Sequence, residues 1–121
     1  MPSKAQIKGS LGEDAAVKYL EDNGFSILVR NYRITNAEID IIAKDKDTIA
    51  FIEVKTRTTL RKGYPSESVN YKKQKKIILA SQYYIRENNL NNIRLRFDVI
   101  EILINNGYFE LKLIKNAFQV T

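Results

Sequence analysis

Two acids and a lysine stand where the chain is otherwise apolar. In Ala37-Glu38-Ile39-Asp40-Ile41-Ile42 and again in Ile49-Ala50-Phe51-Ile52-Glu53-Val54-Lys55, charges interrupt runs of Ile, Ala, Phe and Val. Two carboxylates brought to one face of a sheet repel, which raises a pKa or calls for a cation. A hard divalent ion such as Mg²⁺ or Mn²⁺ satisfies both through oxygen ligands, and the carbonyl of Val54 can add another. An ion in such a place lowers the pKa of bound water and polarises a phosphoryl oxygen, the chemistry of phosphodiester cleavage. Lys55, two residues beyond Glu53, would orient that water or neutralise the developing charge. The D-x₁₂-E-x-K spacing is loose. The same three residues would equally make an ordinary ion pair near a sheet edge, worth about 0–1 kcal/mol.

Composition narrows the chemistry available. Histidine and cysteine are both absent, which removes the usual general base, the thiolate nucleophile, disulfides and the common transition-metal ligands. Any catalysis must run on carboxylates, lysine and oxygen-liganded ions. The formal charge of +6 and a pI near 9.5 suit a polyanionic partner. Lysine-rich solvation alone would give the same charge. With 121 residues, 44% hydrophobic and 28% charged, the chain matches one globular domain over 1–121. The apolar runs are too short to span a bilayer and no leader pattern opens the chain, so a cytoplasmic protein that binds no membrane is expected.

The elements that must position these residues follow from periodicity. Met1 to Lys8 reads as a short polar lead, expected to be flexible. Ser10-Leu11-Gly12-Glu13 then opens a helix to about Asn23, with Gly24 as its stop. Glu13, Ala16, Val17 and Leu20 share its inward face. Phe25 to Arg33, Ala37 to Ala43 and Ile49 to Arg57 read as three strands, with Lys44-Asp45-Lys46-Asp47 as the turn between the last two. An even-numbered loop centred between Asp45 and Lys46 sets Asp40 opposite Phe51. Period two then gathers Asp40, Glu53 and Lys55 on one face, the acids being diagonal neighbours about 7–8 Å apart. A helical region runs from Pro65 to Asn88 or Asn89, with a candidate break near Asn70. Ile93, Leu95, Phe97 and Val99 alternate with polar residues as a fourth strand. A fifth, Phe109 to Leu113, follows a hairpin at Asn105-Asn106-Gly107. The order α-β-β-β-α-β-β predicts an α/β sandwich, a mixed sheet with helices over at least one face.

Asp40 with Glu53-Val54-Lys55 resembles the PD-(D/E)XK nuclease superfamily, the restriction-endonuclease-like fold. The likeness extends to the YraN-like family of small bacterial proteins that resemble Holliday-junction resolvases. It is carried by Gly9, Gly12-Glu13, Ala16, Tyr19-Leu20, Gly24, Asn31-Tyr32-Arg33, Glu38-Ile39-Asp40, Phe51 to Arg57, Val69, Lys73-Gln74, Phe97-Asp98-Val99 and Ala117-Phe118, nearly the whole chain. Ala37 departs from it, since the family usually has glycine there, and alanine loses easy access to positive φ. The resemblance implies a Mg²⁺-dependent (or Mn²⁺-dependent) endonuclease on structured DNA. A homodimer is also implied, because resolving a junction takes two active sites.

The supporting residues carry two readings each. The superfamily resemblance makes Glu13 an accessory acid of the site; local geometry makes it the N3 member of a capping box with Ser10. Gln74 either approaches the site, as the resemblance implies, or is a polar residue at a helix boundary. Lys72, Lys73, Lys75 and Lys76, with Arg57, Arg61 and Lys62, form either a phosphate-binding rim or a solvated face. Tyr32 reads as packing, and Asp98 as a structural acid paired with Arg94 or Arg96. Two rivals to the enzyme remain open: a noncatalytic nucleic-acid-binding module and a protein-interaction subunit.

Overall fold

The computed structural model describes residues 4–57, 69–105 and 108–120, the side chains of 4–10 and 105 excepted. Its elements are α1 (Lys4–Asp22), β1 (Ser26–Ile34), β2 (Ala37–Asp45), β3 (Thr48–Arg57), α2 (Tyr71–Glu87), β4 (Arg94–Asn105) and β5 (Tyr108–Phe118). The five strands form one sheet in the order β1-β2-β3-β4-β5. β3 and β4 run parallel and the other neighbours antiparallel, so the α/β order and the mixed sheet are as expected. The parallel pair needs a crossover, which the segment containing α2 supplies.

Each helix covers one face. On α1's side Ala16 and Leu20 pack with Ile41, Ala43, Ala50, Ile52, Ile100 and Ile102. On α2's side Ile77, Ala80 and Tyr84 pack with Ile42, Phe51, Phe97 and Val99. A strand sandwiched between two layers has no solvated phase. This is why Ile49 to Glu53 is buried without a gap.

α1 begins at Lys4 rather than Ser10, which corrects the capping-box reading of Glu13. Ser10 and Glu13 lie inside the helix, where backbone N–H groups already meet carbonyls four residues back. Its end is as expected. Gly24 takes φ +89°, the Phe25 N–H donates to Leu20 O (2.9 Å) and the Gly24 N–H to Glu21 O (3.1 Å), a Schellman closure. α2 starts where a break was expected: Asn70 caps it, its Oδ1 accepting from the Lys73 N–H at 2.9 Å. The Asn105-Asn106-Gly107 turn includes residues 106–107, outside the described residues, while Asn105 pairs with Tyr108 across it.

Gly12 fixes how closely α1 approaches the sheet. A Cβ there would lie 2.3 Å from Thr56 Oγ1 and 3.2–3.3 Å from Cγ2 and Cβ, and a β-branched side chain on a strand has little freedom to move. Gly12→Ala is therefore expected to destabilise the fold by about 1–3 kcal/mol, the usual range for overpacking. Urea unfolding midpoints measure this. A variant as stable as the wild type would mean that the helix can lift without loss.

Candidate functional site

The β2–β3 hairpin differs in register from the expectation while keeping its parity. Asp45 pairs with Thr48 and Ile42 with Phe51, so the loop is the two residues Lys46-Asp47 and its centre lies one residue later. Asp45 is held in the strand by Arg96 Nη2 at 3.1 Å and by Lys115 Nζ at 3.4 Å, contacts with no local signature. Because the sum of paired positions moved by two, every face is preserved. In this register Asp40 falls directly opposite Glu53 instead of diagonal to it.

The paired ladder stops just short of that position, at Ile41–Ile52. On its other edge β2 is interrupted at the same place. Arg30–Ile41 and Tyr32–Ile39 pair, whereas Asn31 and Asp40 between them do not. Asn31 is left-handed, φ +54°. The alternation of faces breaks with it: Ile41 joins the core under α1 and Ile39 the core under α2, although two residues in a regular strand share a face. Asp40 sits at this irregularity, and its Oδ2 accepts a hydrogen bond from the Val54 N–H at 2.8 Å. A carboxylate thus replaces a strand's carbonyl. An extended residue's N–H and C=O point to the same edge, so the Val54 carbonyl faces the same gap.

Asp40 and Glu53 are near enough to share a hydrogen bond. Burial foremost, and then that bond and the charge of Glu53, push the Asp40 carboxyl up from 3.8 to about 7. Glu53 is 6% exposed, and Lys73 Nζ approaches its Oε2 at 3.6 Å. Lys55 follows on the same face by strand alternation and is half-buried. The structure therefore brings together Asp40, Glu53, the Val54 backbone and Lys73 of α2, and Lys55 shares the phase of Glu53 on β3.

The other expected residues that the structure describes make different contacts. Glu13 Oε1 accepts from Arg30 Nε and Asn31 Nδ2, each at 3.0 Å, and Arg30 Nη2 donates to Asp14 Oδ1 at 2.6 Å. Glu13 thus pins the left-handed Asn31 that lies opposite Asp40. Gln74 Nε2 donates to Val69 O at 3.0 Å, at the helix boundary. Lys72, Lys75 and Lys76 are exposed, as is Arg57 at the end of β3; Arg61 and Lys62 lie outside the described residues. Tyr32 packs edge-on to Tyr84, 5.4 Å between centroids, and its hydroxyl donates to Glu87. Asp98, fully buried, accepts two bonds from Arg96 Nε (2.8 and 3.0 Å) and one from the Asn116 N–H (2.9 Å). Arg96 is thus its partner.

Sequence reasoning missed Glu101. It occupies the same phase of β4 as the buried Phe97 and Val99 and is itself 6% exposed. An acid on the apolar phase of an alternating strand was the signal available.

The oxygen donors suit Mg²⁺ or Mn²⁺: two adjacent carboxyl groups and a backbone carbonyl, in a chain without histidine or cysteine. Among the described residues no three acids lie close enough together to enclose an ion, so the pair would need water or substrate oxygens to complete a shell. No helix among the described residues is long and apolar enough to cross a membrane.

Residues 12–102 match the model of the uncharacterised protein family UPF0102. The chain belongs to this family. A UPF0102 protein of Desulforapulum autotrophicum is 46% identical over 119 residues, covering 98% of each chain. One from Clostridioides difficile is 56% identical over 97 residues, 80% of this chain and 85% of its own. Another from Clostridium acetobutylicum is 49% identical over 114 residues, 93% of both. The family-level resemblance is borne out, and this UPF0102 chain is matched through every element that holds the acids.

Proposed function

We propose that this UPF0102 protein is a metal-dependent phosphodiester hydrolase, an endonuclease or resolvase-like enzyme on structured DNA. The observation that carries the reading is the Asp40–Glu53 carboxyl pair at the broken end of the β2–β3 ladder, with Lys55 on the same face. Mg²⁺ or Mn²⁺, when bound, supplies a more acidic water and a polarised phosphoryl oxygen. Asp40, Glu53 and the Val54 carbonyl would hold it. Lys73 supports this by neutralising Glu53 until a stronger cation takes that role. Lys55 orients the attacking water or meets the charge that develops on the phosphate. Cleavage of labelled branched, flapped, single-stranded and linear DNA with Mn²⁺ tests the reading. Failure on all of them, with binding intact, would favour a noncatalytic binding module. That rival draws on one feature, the ion pair that Lys73 already gives Glu53.

A nucleic acid is the favoured partner because the exposed part of α2 is strongly basic. Lys72, Lys75 and Lys76 project to solvent, and Lys75 Nζ stacks over the Tyr71 ring at 4.5 Å. Affinity should fall with salt by a log–log slope of about −0.9 per phosphate neutralised on duplex DNA. Replacing these three lysines by alanine should flatten the slope by about 0.9 for each phosphate no longer neutralised. An unchanged slope in a salt titration would move the binding surface off α2.

A further inference from the structure

The outer side of α2 carries side chains that neither the core nor the proposed reaction uses. Tyr71 and Leu79 are 61% and 45% exposed, on a helix whose buried side is formed by Ile77, Ala80, Ser81 and Tyr84. A cleft of about 390 Å³ opens between this outer side and the residues that follow β5. That lies within the range of pockets that hold a small ligand, roughly 300–1,000 Å³. Ile78, Leu79 and Val120 give the cleft an aliphatic lining and Tyr71 an aromatic one. Gln82 and Gln119 add side-chain amides, which both donate and accept hydrogen bonds.

The charge around the cleft selects its occupant. Lys75 also lines it, with Nζ over the Tyr71 ring at 4.5 Å, and Lys72 and Lys76 are exposed beside it on the helix. Glu87 is the only acid of α2; it ends the helix and accepts from the Tyr32 hydroxyl. No acid lines the cleft. An aromatic ring, an aliphatic wall and amides, with lysines alongside, fit a flat heteroaromatic base joined to a phosphate. In a duplex the base faces already stack on each other, so only an unpaired nucleotide can offer one to Tyr71. We propose that this cleft binds an unpaired nucleotide of a nucleic-acid strand, its base stacked on the Tyr71 ring and its phosphates met by Lys72 and Lys75. The proposal deepens the nucleic-acid reading above and rests on it. Tyr71 stands two residues before Lys73, whose Nζ lies 3.6 Å from Glu53 Oε2. The cleft and the carboxyl pair therefore share the first turn of α2, which ties the preference for an unpaired nucleotide to the place where cleavage is proposed.

Fluorescence anisotropy with the full-length protein tests this, using labelled oligothymidylate, oligouridylate, an abasic strand of equal length and a duplex. The wild type should bind a base-bearing single strand about 5-fold or more tighter than the abasic one, the low end of what stacking one base supplies. Tyr71→Ala should erase that preference while leaving the affinities for the abasic strand and the duplex nearly unchanged. Tyr71→Phe keeps the ring and should keep the preference. Tyr71 is exposed, so neither substitution touches the core. Equal affinity of the wild type for base-bearing and abasic strands overturns the proposal, as does a Tyr71→Ala loss of the same size on the duplex; either result leaves a backbone-binding nuclease intact. Binding to no strand overturns it together with the nucleic-acid reading. The preference in a wild type that cuts nothing keeps the nucleotide cleft and removes the hydrolase.

Discussion

Glu53→Gln should abolish Mg²⁺- or Mn²⁺-dependent cleavage of any substrate that the wild-type protein cuts, while DNA binding survives. The substitution keeps the size of the side chain and removes its charge, so the pair loses the anion that attracts a divalent cation. Ion binding, followed by calorimetry with Mn²⁺, should weaken in parallel. Lys55→Ala should separate chemistry from ion binding: Mn²⁺ affinity stays near wild type and kcat falls by about 10²–10³-fold, the scale for removing one electrostatic interaction with the transition state. Loss of ion binding in Lys55→Ala would assign the lysine to the structure of the site instead. Cleavage persisting in Glu53→Gln would end the carboxylate-pair mechanism.

Asp40 should make the fold less stable as pH rises, the reverse of the usual behaviour of a native carboxylate. Its carboxyl is raised from 3.8 to about 7, chiefly by burial and then by Glu53. Between these values the native state binds more protons than the unfolded chain, so ∂ΔG/∂pH for unfolding is negative. The contribution of this group is fully present below about pH 4 and is lost as pH climbs through about 7. The loss is on the order of a few kcal/mol. Asp40→Asn can still accept from the Val54 N–H through its carbonyl and no longer titrates. The stability of Asp40→Asn relative to wild type should therefore grow from pH 4 to pH 8, measured by urea unfolding at several pH values. Mn²⁺ at pH 8 should restore much of the wild-type loss, since a ligand that binds only the folded state stabilises it, and should do little for Asp40→Asn. A wild-type minus variant difference that stays flat across this range would show that Asp40 is not crowded by Glu53.

The sheet and the shared face of Asp40 and Glu53 were largely legible in the residues. Alternation in Phe97-Asp98-Val99, the unbroken apolar run before Glu53 and the stop at Gly24 each report a local preference that the fold keeps. The parity of the β2–β3 pairing followed from the even-numbered loop and not from burial, because helices cover both faces of these strands and Ile41, Ile42, Phe51 and Ile52 are all buried. A slip by two keeps every residue's face, so the apolar pattern could not choose between Phe51 and Glu53 as the residue opposite Asp40. That choice fell to Arg96 and Lys115, distant in sequence, which hold Asp45 in the strand. The start of α1 at Lys4 was obscured for a related reason: Ser10 and Glu13 have the types of a capping box, and type alone does not tell a helix end from a helix interior. The left-handed Asn31, the interrupted alternation at Asp40, the approach of Lys73 to Glu53 and the unpaired oxygen of Glu101 belong to the tertiary structure alone. Each depends on what a different element places opposite a residue. A sequence specifies which residues carry charge and what phase they occupy; only packing decides which of those charges meet.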